Sequence, residues 1–417
     1  MKKIISILLV AMMLLGIISV FASCNSSDSP KETTTTTSKV TTVTTPEGTT
    51  SEEPILTPPD LAYEVNADGE TCTITGIGTC TEGDIFIGNY IDGYKITTIG
   101  DSAFAGCDNL TSVIIPDSVT TIGNYAFYYC YNLTSVTIPD SVTIIGDYAF
   151  YYCYKLVEVI NKSSLAIIAG SWSNGYVAYY AKEVHNSTTK IVNQNDYLFY
   201  TYNSANYLLG YVGADAVLTL PKSYKGQNYE IYQYAFYDCD NFTSVTIGDS
   251  VTTIGNWAFA LCSNFTSITI PDSVTTIGDS AFSQCSNLTS VTIGNSVTTI
   301  GFDAFGSCSK LTSIALPDSV TAIGDSAFSQ CSSLTSVTIG DSVTIIGKWA
   351  FSHCFNLRSV TIGDAVTTIG NEAFRECFKL TDVYYTSSES EWAQIEIGSS
   401  NSKLTSATIH YNYVPEE

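Results

Sequence analysis

The sequence is poor in positive charge and in histidine. Only 17 Lys and Arg oppose 40 Asp and Glu, which gives a formal net charge of −23 at pH 7. Such a chain repels nucleic-acid phosphates and anionic membrane surfaces, so neither is expected as a partner. With three histidines and no Gly-x-Ser-x-Gly or His-Glu-x-x-His motif, the chain carries no recognisable catalytic centre. We therefore expect neither enzymatic activity nor a cofactor.

Long apolar runs are missing beyond residue 22, so no later segment is expected to span a bilayer. Residues 1–23 combine Lys2 and Lys3 with an apolar stretch, which is typical of a secretory signal peptide. The stretch ends Phe-Ala-Ser before Cys24 and resembles a lipoprotein signal, although Phe21 is less usual than Leu. Cys24 would then carry the lipid and anchor the chain to the bacterial cell surface. A transmembrane anchor or an ordinary cleaved signal are the alternatives.

Residues 24–60 are rich in Thr, Pro, Ser, Glu and Lys. This composition cannot bury a hydrophobic core, so the segment is expected to be a disordered linker after the lipidated cysteine. It would hold the folded part clear of the cell envelope.

A repeat of 23 residues dominates the rest of the chain. An Ala-Phe step recurs in phase at Phe259, Phe282, Phe305, Phe328, Phe351 and Phe374, and upstream at Phe104, Phe127, Phe150 and Phe236. A fixed period of this length predicts a solenoid, in which stacked units bury a core that one unit cannot bury alone.

One repeat, residues 265–287, shows how each unit is built. Its first part is β-branched and ends at Pro271, which predicts a short strand with Ile268 and Ile270 facing inward. The spacing of the later apolar residues favours a tight turn followed by a short helical or 3₁₀ turn, not a second long strand. Gly278 lies where the turn needs either a positive φ or no side chain.

The phrase "LTSVTIPDSVTTIGxxAFxxCxx" resembles the BspA-like class of leucine-rich-repeat surface proteins, from about residue 61 to residue 413. The chain lacks the asparagine column of better-known leucine-rich repeats. The resemblance implies a right-handed coil with a curved parallel β-sheet on its concave side. It also implies a secreted or surface-attached binding protein, often discussed as an adhesin, with no catalytic residues. The expected ligand is a host matrix protein, a mucin or another microbe, or alternatively a glycan, bound by a monomer.

The phase of the repeat divides the chain. Cys153 and Cys239 are not separated by a multiple of 23 residues, which marks an irregular island. The predicted order after the linker is an N-terminal cap at 61–89, repeats at 90–160, an irregular insertion or degenerate repeats at 161–230, repeats at 231–385 and a C-terminal cap at 386–417. Within the first cap, Cys72 and Cys80 are either a disulfide across a hairpin or two independent buried thiols.

Two further columns follow the repeat. One cysteine per coil, without paired Cys or local His, favours buried thiols over metal ligands: Cys107, Cys130, Cys153, Cys239, Cys262, Cys285, Cys308, Cys331, Cys354 and Cys377. Aspartates recur after the strand and after the glycine. They are interpreted as solvated turn residues, with a calcium site as the alternative.

Clustered tyrosines give the candidate binding site. Tyr125 and Tyr128 are echoed one coil later by Tyr148 and Tyr151, and Tyr234 and Tyr237 follow the island. Tyrosine is favoured at binding surfaces, although the island could instead pack over these rings. A column of hydroxyls would extend the site on the regular coils, at Thr246, Thr269, Thr292, Thr338 and Thr361. The glycan alternative depends on the same exposed tyrosines and hydroxyl-rich face.

Overall fold

The computed structural model describes residues 61–78 and 83–414. Cys24, the signal segment, the linker and Cys80 lie outside the described residues, so what the sequence indicates about them stays a prediction. The chain divides into two compact units, Met1–Thr188 and Thr189–Glu417. In the described parts, no helix has the length and hydrophobicity needed to traverse a bilayer.

The first unit contains two sheets formed by successive coils. Its strands in chain order are Ala62–Val65 (β1), Thr71–Gly76 (β2), Asp84–Phe86 (β3), Tyr90–Ile91 (β4), Tyr94–Ile99 (β5), Ser112–Ile114 (β6), Thr121–Ile122 (β7), Ser135–Ile138 (β8), Ile144–Ile145 (β9), Glu158–Asn161 (β10) and Glu183–His185 (β11). One sheet has the order β1-β2-β5-β7-β9 with β4 on β5, and the other β11-β10-β8-β6-β3. Antiparallel pairs occur only at β1–β2 and β4–β5 among these strands, and the rest are parallel.

The second unit opens with an antiparallel meander of Val192–Gln194 (β12), Tyr197–Tyr202 (β13) and Ala205–Tyr211 (β14). Parallel strands then continue its sheet at Tyr229–Ile231 (β16), Val251–Ile254 (β18), Thr276–Ile277 (β20), Thr299–Ile300 (β22), Ala322–Ile323 (β24), Ile345–Ile346 (β26), Thr368–Ile369 (β28) and Glu396–Ile397 (β30). A second line of parallel strands comprises Val217–Thr219 (β15), Ser244–Thr246 (β17), Ser267–Ile270 (β19), Ser290–Ile293 (β21), Ser313–Ala315 (β23), Ser336–Thr338 (β25), Ser359–Ile362 (β27), Asp382–Tyr385 (β29) and Thr408–His410 (β31). Two one-turn helices, Glu389–Trp392 (α1) and Ser402–Thr405 (α2), lie near the C-terminus.

Most regular coils have one strand of three or four residues and one of two residues, whereas the coil with β17 and β18 has strands of three and four. In β19, Ile268 and Ile270 are buried while Thr269 is exposed, as alternation along a strand predicts. Partners lie 23 residues on, with Thr269 opposite Thr292. The two-residue strand, such as β20, pairs in the same way with β22. The predicted solenoid with parallel sheets is therefore confirmed.

The expected short helical or 3₁₀ turn after Gly278 is wrong. The segment instead forms turns whose N–H groups bond to the next coil. Ser280, Phe282 and Gln284 donate to backbone carbonyls 22 residues ahead, each at 2.7 Å. Ser280 and Gln284 have a left-handed backbone conformation, with φ of 53° and 60°. A helix would use these donors internally, whereas here they join neighbouring coils in a third set of hydrogen bonds.

Gly278 is required by close approach, not by a positive φ. A Cβ there would lie 2.5 Å from Asn256 Oδ1 and 2.8 Å from its backbone nitrogen. The aspartates of the second column directly follow these glycines, and their hydrogen bonds explain why Asp or Asn recurs there. Asn256 Oδ1 accepts the N–H of Asp279 at 2.9 Å, and Asp279 Oδ1 accepts that of Phe302 at 2.8 Å. These side chains therefore accept backbone N–H groups of the next coil. No group of three or more His, Cys, Asp or Glu in the described ranges is arranged to hold a metal.

The core contains a stack of phenylalanine rings beside the cysteine column. Phe259 and Phe282 lie 5.3 Å apart with planes 3° from parallel, and the next pairs repeat this geometry. Cys285 Sγ donates to the Phe259 carbonyl at 3.1 Å, and burial raises its thiol pKa to about 12. Eight free, buried thiols share this bond to the preceding coil: Cys130, Cys153, Cys262, Cys285, Cys308, Cys331, Cys354 and Cys377.

The remaining cysteines differ from these eight. Cys107 is buried and Cys239 is half-buried. Cys72 is buried, with its Sγ 3.9 Å from the Tyr94 carbonyl oxygen. Whether it pairs with Cys80 stays a prediction, because Cys80 is not among the described residues.

Candidate functional site

The structure brings four of the predicted tyrosines together in the first unit. Tyr125 and Tyr128 lie on one coil, and Tyr148 and Tyr151 lie on the next, with contacts between them. They belong to a larger group, called here the tyrosine array, on three successive coils: Tyr125, Tyr128, Tyr129, Tyr131, Tyr148, Tyr151, Tyr152, Tyr154, Tyr176, Tyr179 and Tyr180.

Within the array, rings stack from coil to coil. Tyr148 lies between Tyr125, 5.5 Å away with planes at 11°, and Tyr176, 5.3 Å away at 15°. Tyr129 and Tyr152 form a second stack, with centroids 4.6 Å apart. On one coil, Tyr125 and Tyr128 meet edge to face, which suits the quadrupoles of the rings. Because both faces of Tyr148 are covered and yet 40% of the residue is exposed, solvent meets mainly its edge and hydroxyl end.

The centre of the array is half-buried. Burial, with a smaller contribution from the Tyr129 hydroxyl, raises the pKa of Tyr128 well above its usual value. The same causes, with Tyr152 as neighbour, raise the pKa of Tyr151. Both hydroxyls therefore stay protonated at physiological pH and retain a proton to donate. The array is an uncharged surface on an acidic protein.

The residues Tyr176, Tyr179 and Tyr180 were not predicted as part of the site. The 23-residue period could not predict these residues, because Tyr148 and Tyr176 are separated by 28 residues. The recurring Tyr-Tyr pair, at Tyr179 and Tyr180, is the signal that could have revealed them. The island's first coil therefore adds three rings to the array, and one of them, Tyr176, packs over Tyr148 and Tyr151.

The tyrosines after the island form a different cluster. Tyr234 and Tyr237 lie in the second unit, and both contact Trp257. Tyr234 stacks on Trp257 at 6.1 Å with planes 1° apart. The six predicted tyrosines are thus divided between the two units.

The threonine column is also incomplete. Thr246, Thr269, Thr292 and Thr338 are exposed on the longer strands, and Thr361 is half-buried. Register places Thr269 opposite Thr292, and Thr338 opposite Thr361, but Ala315 stands opposite Thr338 on the other side. Thr219, which pairs with Thr246, extends the column in a way the sequence analysis missed. Solvated hydroxyls of this kind gain little on binding.

Each of the three histidines contacts a carboxylate. His185 Nε2 lies 2.9 Å from the buried Glu158, His353 Nε2 lies 3.5 Å from Glu376, and His410 Nε2 lies 2.8 Å from Asp382. The backbone N–H of Ser187 donates to His185 Nδ1 at 3.2 Å, which fixes that ring in a local turn. These contacts explain the histidines as parts of the scaffold.

Several solved structures are similar to this chain. A leucine rich cell surface protein from Faecalibacterium prausnitzii A2-165 is 23% identical, with 82% of this chain and 97% of that chain covered and a TM-score of 0.35. A leucine-rich repeat protein from Eubacterium ventriosum is 21% identical, with 75% and 94% covered and a TM-score of 0.44. The pneumococcal vaccine antigen PcpA is 16% identical, with 86% and 98% covered and a TM-score of 0.39. No curated protein sequence matches the chain.

A family model decides the assignment. The family described as "BspA type Leucine rich repeat region (6 copies)" matches residues 90–205, 229–331 and 298–413. Together these ranges cover well over half of the 417 residues and include all ten cysteines of the column. The chain belongs to the BspA-type leucine-rich-repeat family.

Proposed function

We propose that this protein is a cell-surface binding or adhesion module whose specific contacts are made by the tyrosine array of the first unit. Family membership supports a protein-interaction role. The signal segment and Cys24 support export and a lipid anchor, and the acidic chain disfavours nucleic acid. The module acts as a monomer held from the envelope by its Thr-rich linker.

The observation that carries this proposal is the stacking of half-exposed tyrosines on three coils. Rings held by stacking lose little conformational freedom when a partner binds. Tyrosine combines a large apolar area with a hydroxyl and is enriched among residues that dominate binding energy. The regular coils of the second unit offer mainly threonine and serine in comparison.

The geometry of the array favours a polypeptide over a sugar as its partner. A pyranose ring packs its C–H groups on an open aromatic face, and Tyr148 has both faces covered. Ring edges and hydroxyl groups can instead contact the carbonyls and side chains of a protein. A host matrix protein, a mucin polypeptide or a surface protein of another microbe fits this chemistry.

The test compares two pairs of substitutions in the secreted chain, both checked by circular dichroism for retained fold. One pair is Tyr128→Ser with Tyr151→Ser, and the other is Thr292→Lys with Thr338→Lys. Binding to immobilised matrix proteins and mucin is measured by surface plasmon resonance. We expect the tyrosine pair to weaken binding by at least about tenfold and the lysine pair to leave it unchanged.

A conservative control separates ring contacts from hydroxyl contacts. Tyr128→Phe with Tyr151→Phe keeps the stacks, so it should retain more affinity than the serine pair. The proposal is wrong if the lysine pair abolishes binding while the serine pair binds normally. If neither matrix proteins nor mucin bind the wild-type chain, a spacer role without a ligand is favoured.

A further inference from the structure

Beside the tyrosine array lies an exposed tryptophan that no core contact explains. Trp172 is 74% exposed, although large aromatic side chains usually bury most of their surface. Its turn is held by Ser171, whose Oγ accepts the Ser173 N–H at 3.2 Å and lies 2.8 Å from the Ser173 hydroxyl. The ring is therefore presented on an ordered turn of the first unit.

Trp172 lines an open groove of about 400 Å³. The groove is also lined by Asp147, Tyr148, Ser173, Asn174 and Tyr176. Asn174 Nδ2 donates to the Ala166 carbonyl at 3.1 Å, which fixes the orientation of its amide. The groove thus combines an aromatic face with a carboxylate, an amide and hydroxyls, the mixture of apolar and polar groups by which small-molecule sites bind.

Asp147 departs from the pattern of its column. In the two preceding coils, Asp101 Oδ1 accepts the N–H of Asn124 at 2.7 Å, and Asn124 Oδ1 accepts that of Asp147 at 2.8 Å. The register then changes, because Phe127 donates to the carbonyl 22 residues ahead while Phe150 donates to Gly175, 25 residues ahead. Within the described ranges, no hydrogen bond reaches the Asp147 carboxylate, which borders the groove instead.

We propose that this groove is a binding site for a neutral sugar. The C–H face of a pyranose would pack on Trp172, and adjacent hydroxyl groups would donate to the Asp147 carboxylate. The carboxylate and the net charge of −23 disfavour sialylated or sulfated sugars. The groove adjoins the proposed protein contact and shares Tyr148 and Tyr176 with the tyrosine array, but its central residue, Trp172, lies outside the array.

The experiment measures binding of the secreted chain to immobilised neutral, sialylated and sulfated oligosaccharides on a glycan microarray. Isothermal titration with methyl galactopyranoside, methyl glucopyranoside and N-acetylgalactosamine then measures affinity for single rings. We expect binding confined to neutral glycans, with a dissociation constant for one ring on the order of 1 mM. Trp172→Ala should weaken it at least tenfold, and Asp147→Asn several-fold.

Trp349→Ala is the matched control, because this tryptophan is 41% exposed and lies in the second unit. It should leave sugar binding unchanged. Since Trp172 packs on little, its removal should preserve the melting temperature. The inference is overturned if no neutral glycan on the array binds, if Trp172→Ala binds as tightly as wild type, or if anionic glycans bind equally well. The Tyr128 and Tyr151 serine pair should keep sugar binding, so failure of one proposal is distinguishable from failure of the other.

Discussion

A single methyl group at Gly301 should strongly destabilise the second unit. Its Cβ would lie 2.6 Å from the Asp279 backbone nitrogen and 2.6 Å from the Gly278 carbonyl carbon. Backbone cannot rotate away as a flexible side chain can, so the two coils must separate by most of an ångström. That movement strains the bonds from Gly301 N–H to Ile277 and from Phe302 N–H to Asp279, now 2.9 and 2.8 Å. Overpacking and the two weakened hydrogen bonds together should lower the free energy of unfolding of Gly301→Ala by about 3–5 kcal/mol.

The matched control is Gly248→Ala, where the nearest atoms to the new Cβ are 3.7–3.8 Å away. Urea unfolding followed by circular dichroism measures both free energies. Because a solenoid is stabilised coil by coil, limited proteolysis of Gly301→Ala should also cut close to residue 301. We expect Gly248→Ala to stay within about 1 kcal/mol of wild type. Equal stability of the two variants would refute the close-approach explanation of this glycine column.

Three further outcomes are expected. Burial raises the pKa of Asp303 to about 6, above its unfolded value of about 3.9, so its ionisation lowers stability as pH rises from 4 to 6. Asp303→Asn should therefore raise the free energy of unfolding by about 2 kcal/mol at pH 7 and by little at pH 4. The exposed Asp279→Asn should leave this free energy unchanged at both pH values. A gain for Asp303→Asn that is independent of pH would contradict this explanation. Thiol labelling of the native protein should be slow, then rise by at least nine equivalents on unfolding, because nine column thiols are buried. Fast labelling of the native protein would argue against burial. Cys24→Ala should release the protein from the membrane fraction, and unchanged retention would place the anchor elsewhere.

Much of the fold could be predicted because one spacing governs many contacts. The Phe282 column predicted coils of 23 residues, and alternation placed Ile268 inward and Thr269 outward. The conformation after Gly278 could not be predicted in this way. Apolar spacings of three and four fit a helical turn, and the hydrogen bonds that instead join this segment to the next coil involve backbone groups that leave no mark on the side chains.

The candidate site was predictable only where it kept the period. Tyr125 and Tyr148 stand out because they repeat, whereas Tyr176 is displaced by five residues from its expected position. Trp172 stands in the segment that breaks the phase, and its exposure depends on packing that no local pattern encodes. Tyr234 and the array belong to different units because the chain divides at residue 188, which composition does not reveal.

The left-handed turn positions have a consequence for how this surface can change. Ser280 lies two residues before the Phe of its repeat. The equivalent residues in other coils are Tyr125, Tyr234, Trp257, Asp303 and Glu372, all with φ between 53° and 59°. The backbone there is held by bonds between coils, and the inward Phe and Cys residues do not vary with it. Aromatic, acidic and hydroxyl side chains therefore occupy this site in different coils with the same backbone conformation. The side chain at this site can therefore be substituted one coil at a time, which makes the solenoid a suitable scaffold for designed binding surfaces.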